Sequence, residues 1–367
     1  MSDEPRPHLR ALTGARFLAA LHVVLYHVLA WRRDVWFSAL VGTGYVSVNF
    51  FFVLSGFILA YTYGGRPIGP RRFYAARVAR IYPVYVLGLL LAAPFFVRDH
   101  VSTHTVRTML AQGAAVLALV QAHVPNWSLV WNAPSWSLSA EAFFYLLFPF
   151  VTPWLLRVKR PRVWALVMWC VLMGTAGLFW RFGPPAIDGS RGTAIDVFRH
   201  LPLLRLPEFA IGVLAARERR TIAWAAGPAA LATLVALAMS SSMPYVLLHH
   251  GLIDPLFVVL IVALASGGGL LGRVLASPPL VLLGEASYAL YILHLPLTNI
   301  ARTIVYAIAP SQIDTSGFKA GLIVSAIAVS LVAYRFVEWP LRHRLRRVLS
   351  GGRLSGDVAM GEPASAK

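Results

Sequence analysis

The sequence predicts an all-α polytopic membrane protein with about ten transmembrane helices and both termini in the cytoplasm. Three observations predict it. Of the 367 residues, 58% are hydrophobic and only 13% charged, with a mean hydropathy of +0.66; a soluble chain of this size needs far more charge to cover its surface. Apolar runs of roughly 16–22 residues recur from end to end, each about long enough to cross a bilayer as a helix. Arginine and lysine crowd the short segments between those runs, the pattern that marks cytoplasmic loops.

In chain order, the expected spans lie near 11–31, 44–63, 81–97, 138–156, 163–182, 201–216, 222–240, 251–267, 279–300 and 317–337. The stretch 106–122 is also apolar, and loop charge decides its fate. If it stops short of crossing, the N-terminus, Arg66–Arg80, Arg157–Arg162, Arg217–Arg220 and Arg342–Arg347 all face one side, the cytoplasm. It is therefore read as re-entrant or interfacial, beneath an outside loop that ends at Trp136. Residues 1–349 form one transmembrane domain, and the Gly/Ser/Ala-rich tail 350–367 is expected to be disordered. No cleavable signal peptide precedes the first span.

The net charge of +18 does not indicate nucleic acid, because no basic, aromatic-interleaved soluble module is present. A single cysteine, Cys170, leaves no pair for a disulfide and no cysteine metal site. No histidine/carboxylate cluster has metal-ligand spacing, so no metal site is assigned.

Ionisable groups inside the membrane are costly, which makes each one a functional candidate. The first span contains Arg16, His22 and His27. Arg16 and His27 are eleven residues apart, close to three turns and about 16 Å along a helix, so they share a face. His22 is rotated well away and reads as structural. Glu141 opens a later span at its outward end, level with the outer half where His27 is expected. A carboxylate there would orient or charge His27, and a histidine so placed can take a proton from a hydroxyl. Arg77 and Arg80, at i and i+3, present two guanidinium groups on one face and suit phosphate. Arg66, Arg71 and Arg72 are assigned to topology, Ser55-Gly56 to close helix packing, and His249-His250 to the outside surface. Phosphate at the cytoplasmic face with a histidine and carboxylate further out fits an activated donor such as an acyl-CoA.

These residues resemble the acyltransferase-3 family of integral-membrane O-acyltransferases, from about Leu9 to Arg347. The elements follow in family order. First come Leu12-Thr13-Gly14-Ala15-Arg16-Phe17 with His27 downstream, Val53-Leu54-Ser55-Gly56-Phe57, and Phe73-Tyr74-x-x-Arg77-x-x-Arg80-Ile81-Tyr82-Pro83. Trp136-Ser137-Leu138-x-x-Glu141 and Arg205-Leu206-Pro207-Glu208-Phe209-x-x-Gly212 follow. The last are Leu283-Gly284-x-x-Ser287-Tyr288-x-Leu290-Tyr291-x-x-His294-x-Pro296 and Glu338-Trp339-Pro340. Many members carry Asp where this chain has Thr13. The hydrolase-like domain of some larger members has no counterpart in these residues.

The resemblance implies transfer of an acyl group, often acetyl, from cytoplasmic acyl-CoA to a hydroxyl on a carbohydrate or related acceptor. The acceptor could be a polysaccharide, a glycolipid or a glycosylated natural product. It places the catalytic roles on His27 and Glu141 and donor binding on Arg16, Arg77 and Arg80. Acyl-CoA enters as a co-substrate, with no resident cofactor, and the setting is the cell membrane. The alternative reading is an exporter of a glycoconjugate or lipid-linked intermediate. That reading lacks the internal repeat and paired broken helices of transporters.

Overall fold

A computed structural model gives the fold and describes residues 9–29, 38–64, 69–187, 189–218, 221–313 and 315–349. The expected disordered tail, Arg66 and the end of the first expected span at 30–31 lie outside these residues. Among the described residues all regular structure is helical.

The chain begins with α1 (Arg10–Leu29), α2 (Ser47–Tyr63), α3 (Pro70–His100) and the short α4 (Val106–Leu117). It continues with α5 (Trp136–Leu155), α6 (Pro161–Phe182), α7 (Thr193–His200), α8 (Pro202–Ala215) and α9 (Ala226–Ala238). The last part holds α10 (Asp254–Ala265), α11 (Pro278–Glu285), α12 (Ser287–Ile308), α13 (Ser316–Ala333) and α14 (Trp339–Leu349). Proline stands in the first turn of α3, α6, α8, α10 and α11, where its missing N–H is no loss.

Among the described residues, seven helical segments are long and apolar enough to cross a membrane, and the pair α11–α12, bent by 57°, makes an eighth. The shorter α8 and α9 fall on the two remaining expected spans, so each of the ten has a helix under it. α4 has only 12 residues, and at 1.5 Å per residue it is far too short to cross. That agrees with reading 106–122 as a segment that does not span.

Helices α2 and α8 cross backbone to backbone. A Cβ at Gly56 would sit 2.0 Å from the Phe209 carbonyl oxygen, and one at Gly212 would sit 1.9 Å from that of Val53. Small residues permit this approach, which is how helices associate where no hydrophobic effect operates between them. Ser55-Gly56 is thus a packing site, as its sequence suggests. The core around this crossing is aromatic, with Phe73 stacked on Phe148 and Phe144 on Phe209, both at 5.1 Å. α1 and α12 run side by side through the bundle, and α14 lies along the start of α3. Those two packings build the site.

Candidate active site

The i, i+3 spacing on α3 turns Arg77 and Arg80 into the bundle. The Arg80 guanidinium donates to a Glu338 carboxylate oxygen at 2.6 Å and lies over the Tyr288 ring at 5.7 Å. Glu338 is wholly buried, and its second oxygen has no hydrogen-bond partner among the described residues. A π-helical turn, Tyr334–Glu338, joins α13 to α14 and carries this carboxylate; such insertions are frequent at functional sites. Arg77 lies over Phe73 at 5.8 Å and Tyr145 at 5.6 Å, and its buried Nε has no hydrogen-bond partner among the described residues. Arg16 arrives from α1, within electrostatic reach of Arg80, Glu338, Glu141 and Tyr145. Arg342, one turn beyond Glu338, faces Arg80, Glu338 and Arg77. The structure therefore brings together all three arginines singled out in the sequence and adds a fourth. Together they outnumber the nearby carboxylates Glu141, Glu285 and Glu338.

His27 stands further along α1. Its Nδ1 lies 2.9 Å from the Val23 carbonyl oxygen and 3.2 Å from Nε2 of His294 on α12. The His294 ring is wholly buried, and its Nδ1 lies 2.8 Å from the Tyr291 carbonyl oxygen. The two imidazole centroids are 4.9 Å apart. α12 thus meets the arginine group at Tyr288 and the histidine at His294, six residues or about 9 Å further on. His22 is structural, as expected: its nitrogens contact the Ser47 hydroxyl at 2.8 Å and the Leu40 carbonyl oxygen at 2.7 Å.

Two expectations need correction. Glu141 does not support His27. It accepts hydrogen bonds from the Ser55 hydroxyl at 2.9 Å and from Tyr145, and it lies in the field of Arg16. Its place on the second turn of α5 brings it into the neighbourhood of Arg16 and Arg80. Nor are His249 and His250 on the surface. They are 5% and 0% exposed, packed against the buried Arg205 guanidinium, which donates to the His249 carbonyl oxygen at 2.7 Å and to Asn49 Oδ1 at 2.6 Å. Glu208, 3.0 Å from Arg205 on the same helix, forms a buried i, i+3 ion pair with it, and the Arg205 bonds to Asn49 and His249 tie α8 to its neighbours. Loop position in the sequence does not reveal that the chain folds back beneath Phe198, whose ring stacks on His250 at 3.9 Å.

His294 and Glu338 fall in the family motifs and Arg342 in a basic cluster assigned to the cytoplasm, but the sequence alone gives none of them a role at the site. The available signal was an ionisable residue in an apolar run for His294, and helical spacing to a buried carboxylate for Arg342.

A membrane-embedded helical bundle with guanidinium groups clustered at one level and an imidazole pair at another defines a class: integral-membrane proteins equipped to hold an anion and move a proton. Residues 9–335 match the family model described as an acyltransferase domain, and the chain belongs to this acyltransferase-3 family. The chain is 28% identical to the acyltransferase MdmB of Streptomyces mycarofaciens, over 92% of this chain and 93% of that one. It is 29% identical to the exopolysaccharide production protein ExoZ of Rhizobium meliloti, over 86% and 95%. It is 23% identical to the peptidoglycan O-acetyltransferase OatA of Listeria monocytogenes, over 92% of this chain but only 56% of OatA. No solved structure matches.

Proposed function

We propose that the protein is a cell-membrane O-acyltransferase that moves an acyl group, most simply acetyl, from cytoplasmic acyl-CoA to a hydroxyl of a carbohydrate, glycolipid or glycosylated natural product. One observation carries this reading. Arg16 and His27 lie on one helix about 16 Å apart, and α12 touches both levels beside them. A donor with phosphates at one end and a reactive carbonyl at the other fits that separation. Arg16, Arg77 and Arg80, joined by Arg342, would hold the phosphates through charge-assisted hydrogen bonds. Glu141 and Glu338 would hold the arginines in position. His27 would remove the proton from the acceptor hydroxyl, and the oxygen would attack the thioester carbonyl. The carbon–sulfur bond then breaks, and the departing thiolate takes the proton back from His27. The name of the OatA relative, a peptidoglycan O-acetyltransferase, supports a carbohydrate acceptor.

The test is turnover of radiolabelled acetyl-CoA by purified protein in nanodiscs, wild type against His27→Ala. Binding by both, with thioester consumed only by wild type, is the expected result. Binding by neither, with longer acyl-CoA donors also failing, would shift the reading to export.

A further inference from the structure

We infer that His294 is the positioning partner of His27, fixing which nitrogen of that ring is the base; the inference rests on the role proposed above for His27. The Tyr291 carbonyl can only accept, so His294 Nδ1, at 2.8 Å, carries a hydrogen. His294 is wholly buried, and among the described residues no carboxylate pairs with it. A neutral ring with hydrogen on Nδ1 presents a lone pair at Nε2. That lone pair lies 3.2 Å from His27 Nδ1, which must therefore supply the hydrogen. The Val23 carbonyl oxygen, 2.9 Å from the same nitrogen, is a second acceptor. Two acceptors converging on Nδ1 hold His27 in the Nδ1–H tautomer and leave the basic lone pair on Nε2.

His294 thus does for His27 what a buried carboxylate does in a Ser-His-Asp triad, but without a charge. When Nε2 takes the acceptor's proton, the imidazolium keeps its Nδ1–H bonded to His294 and Val23. A carboxylate in that place would also raise the basicity of His27, whereas a neutral ring orients it with a weaker effect on its charge. Among the described residues, titratable groups next to the pair include Tyr26, edge-on to His27 at 4.8 Å, and Tyr291. The segment carrying His294 is itself pinned. The Tyr291 hydroxyl meets Ser137 at 2.8 Å, and the Asn132 amide donates to the Ile292 carbonyl at 3.1 Å.

The experiment compares His294→Phe, which cannot accept a hydrogen, with His294→Gln, whose side-chain carbonyl can. In steady-state transfer, His294→Phe should lose about 100-fold in kcat, with KM for acyl-CoA within about twofold. His294→Gln should recover at least about tenfold of that loss. The acid limb of the kcat–pH profile should move to lower pH in His294→Phe, because the imidazolium has lost an acceptor. Nitrogen-15 histidine spectra, with the His27 signal assigned by its loss in His27→Ala, should show the Nδ1–H tautomer in wild type and a mixture in His294→Phe. Wild-type kcat and pH profile in His294→Phe would overturn the proposal. So would a folded His294→Gln as inactive as His294→Phe, or an Nε2–H tautomer in wild type. If wild type consumes no acyl-CoA, the acyl-transfer reading fails, and the tautomer spectra still decide the pairing.

Discussion

At the scale of single residues, the arginine group and the histidine pair separate binding from chemistry. His27→Ala should cost at least about 100-fold in kcat while leaving acyl-CoA affinity within a few fold, measured by single-turnover kinetics and equilibrium binding. Arg77→Ala should weaken acyl-CoA binding about tenfold, the worth of one charge-assisted hydrogen bond to phosphate. Arg77→Lys should restore little of it, since an ammonium lacks the planar fork. Unchanged affinity in Arg77→Ala would remove that residue from the donor site. Arg80→Ala reports less cleanly, because it leaves the wholly buried Glu338 without its partner and destabilises the fold as well. Arg342→Ala should weaken donor binding, whereas Arg344→Ala, an exposed neighbour on the same helix, should leave it unchanged.

At the scale of elements, two junctions are open to test. The α2–α8 crossing depends on bare backbone at Gly56 and Gly212. Gly212→Val forces the helices apart and should cost at least about 1–3 kcal/mol, read as a lower melting temperature in detergent. A melting temperature equal to wild type would mean that the helices do not meet as described. The second junction ties residues 118–135 to α7. Asp196 accepts from the Asn126 backbone N–H at 2.6 Å, from the Ser128 hydroxyl at 3.0 Å and from His200 Nδ1 at 2.8 Å. Burial alone would raise its pKa, but the His200 bond and charge and the Asn126 and Ser128 donors outweigh it and hold the carboxyl below the usual range. A carboxylate held low contributes its stability above the ordinary pKa and loses it as pH falls through the lowered value. The junction should therefore persist from neutral pH to about 4 and loosen below it. Hydrogen exchange across 118–135 would show this, and Asp196→Asn should exchange at pH 7 as wild type does in acid. Leu119, Asn126 and Trp131 in this segment take left-handed backbone conformations, a cost that anchors such as Asp196 sustain.

At the scale of the whole molecule, the proposed topology places Arg344 and Asn126 on opposite faces of the bilayer. With Cys170→Ser as background, Arg344→Cys should react with impermeant maleimide only from the cytoplasm, and Asn126→Cys only from outside. Labelling of both from one side would overturn the arrangement. Seven helices long and apolar enough to cross, the bent pair that makes an eighth, their order and the short 106–117 helix were legible in the sequence, because a helix that crosses lipid needs about twenty apolar residues and satisfies its own backbone hydrogen bonds. Arg77 and Arg80 were legible as a pair because i, i+3 spacing sets their common face whatever surrounds them. The shared face of Arg16 and His27 followed from the same periodicity. The partners of those residues were not legible. Glu141 goes to Ser55 and Tyr145, His27 to His294, and Arg80 to Glu338, which is 258 residues away in the chain. Periodicity fixes the direction of a side chain about its own helix axis. How deep each helix sits and which neighbour it meets depend on packing between distant segments, through the glycine crossing of α2 and α8, the bend between α11 and α12, and the π-turn before Trp339. The sequence by itself determined the spans and the chemical groups they carry; the tertiary structure decided which groups meet.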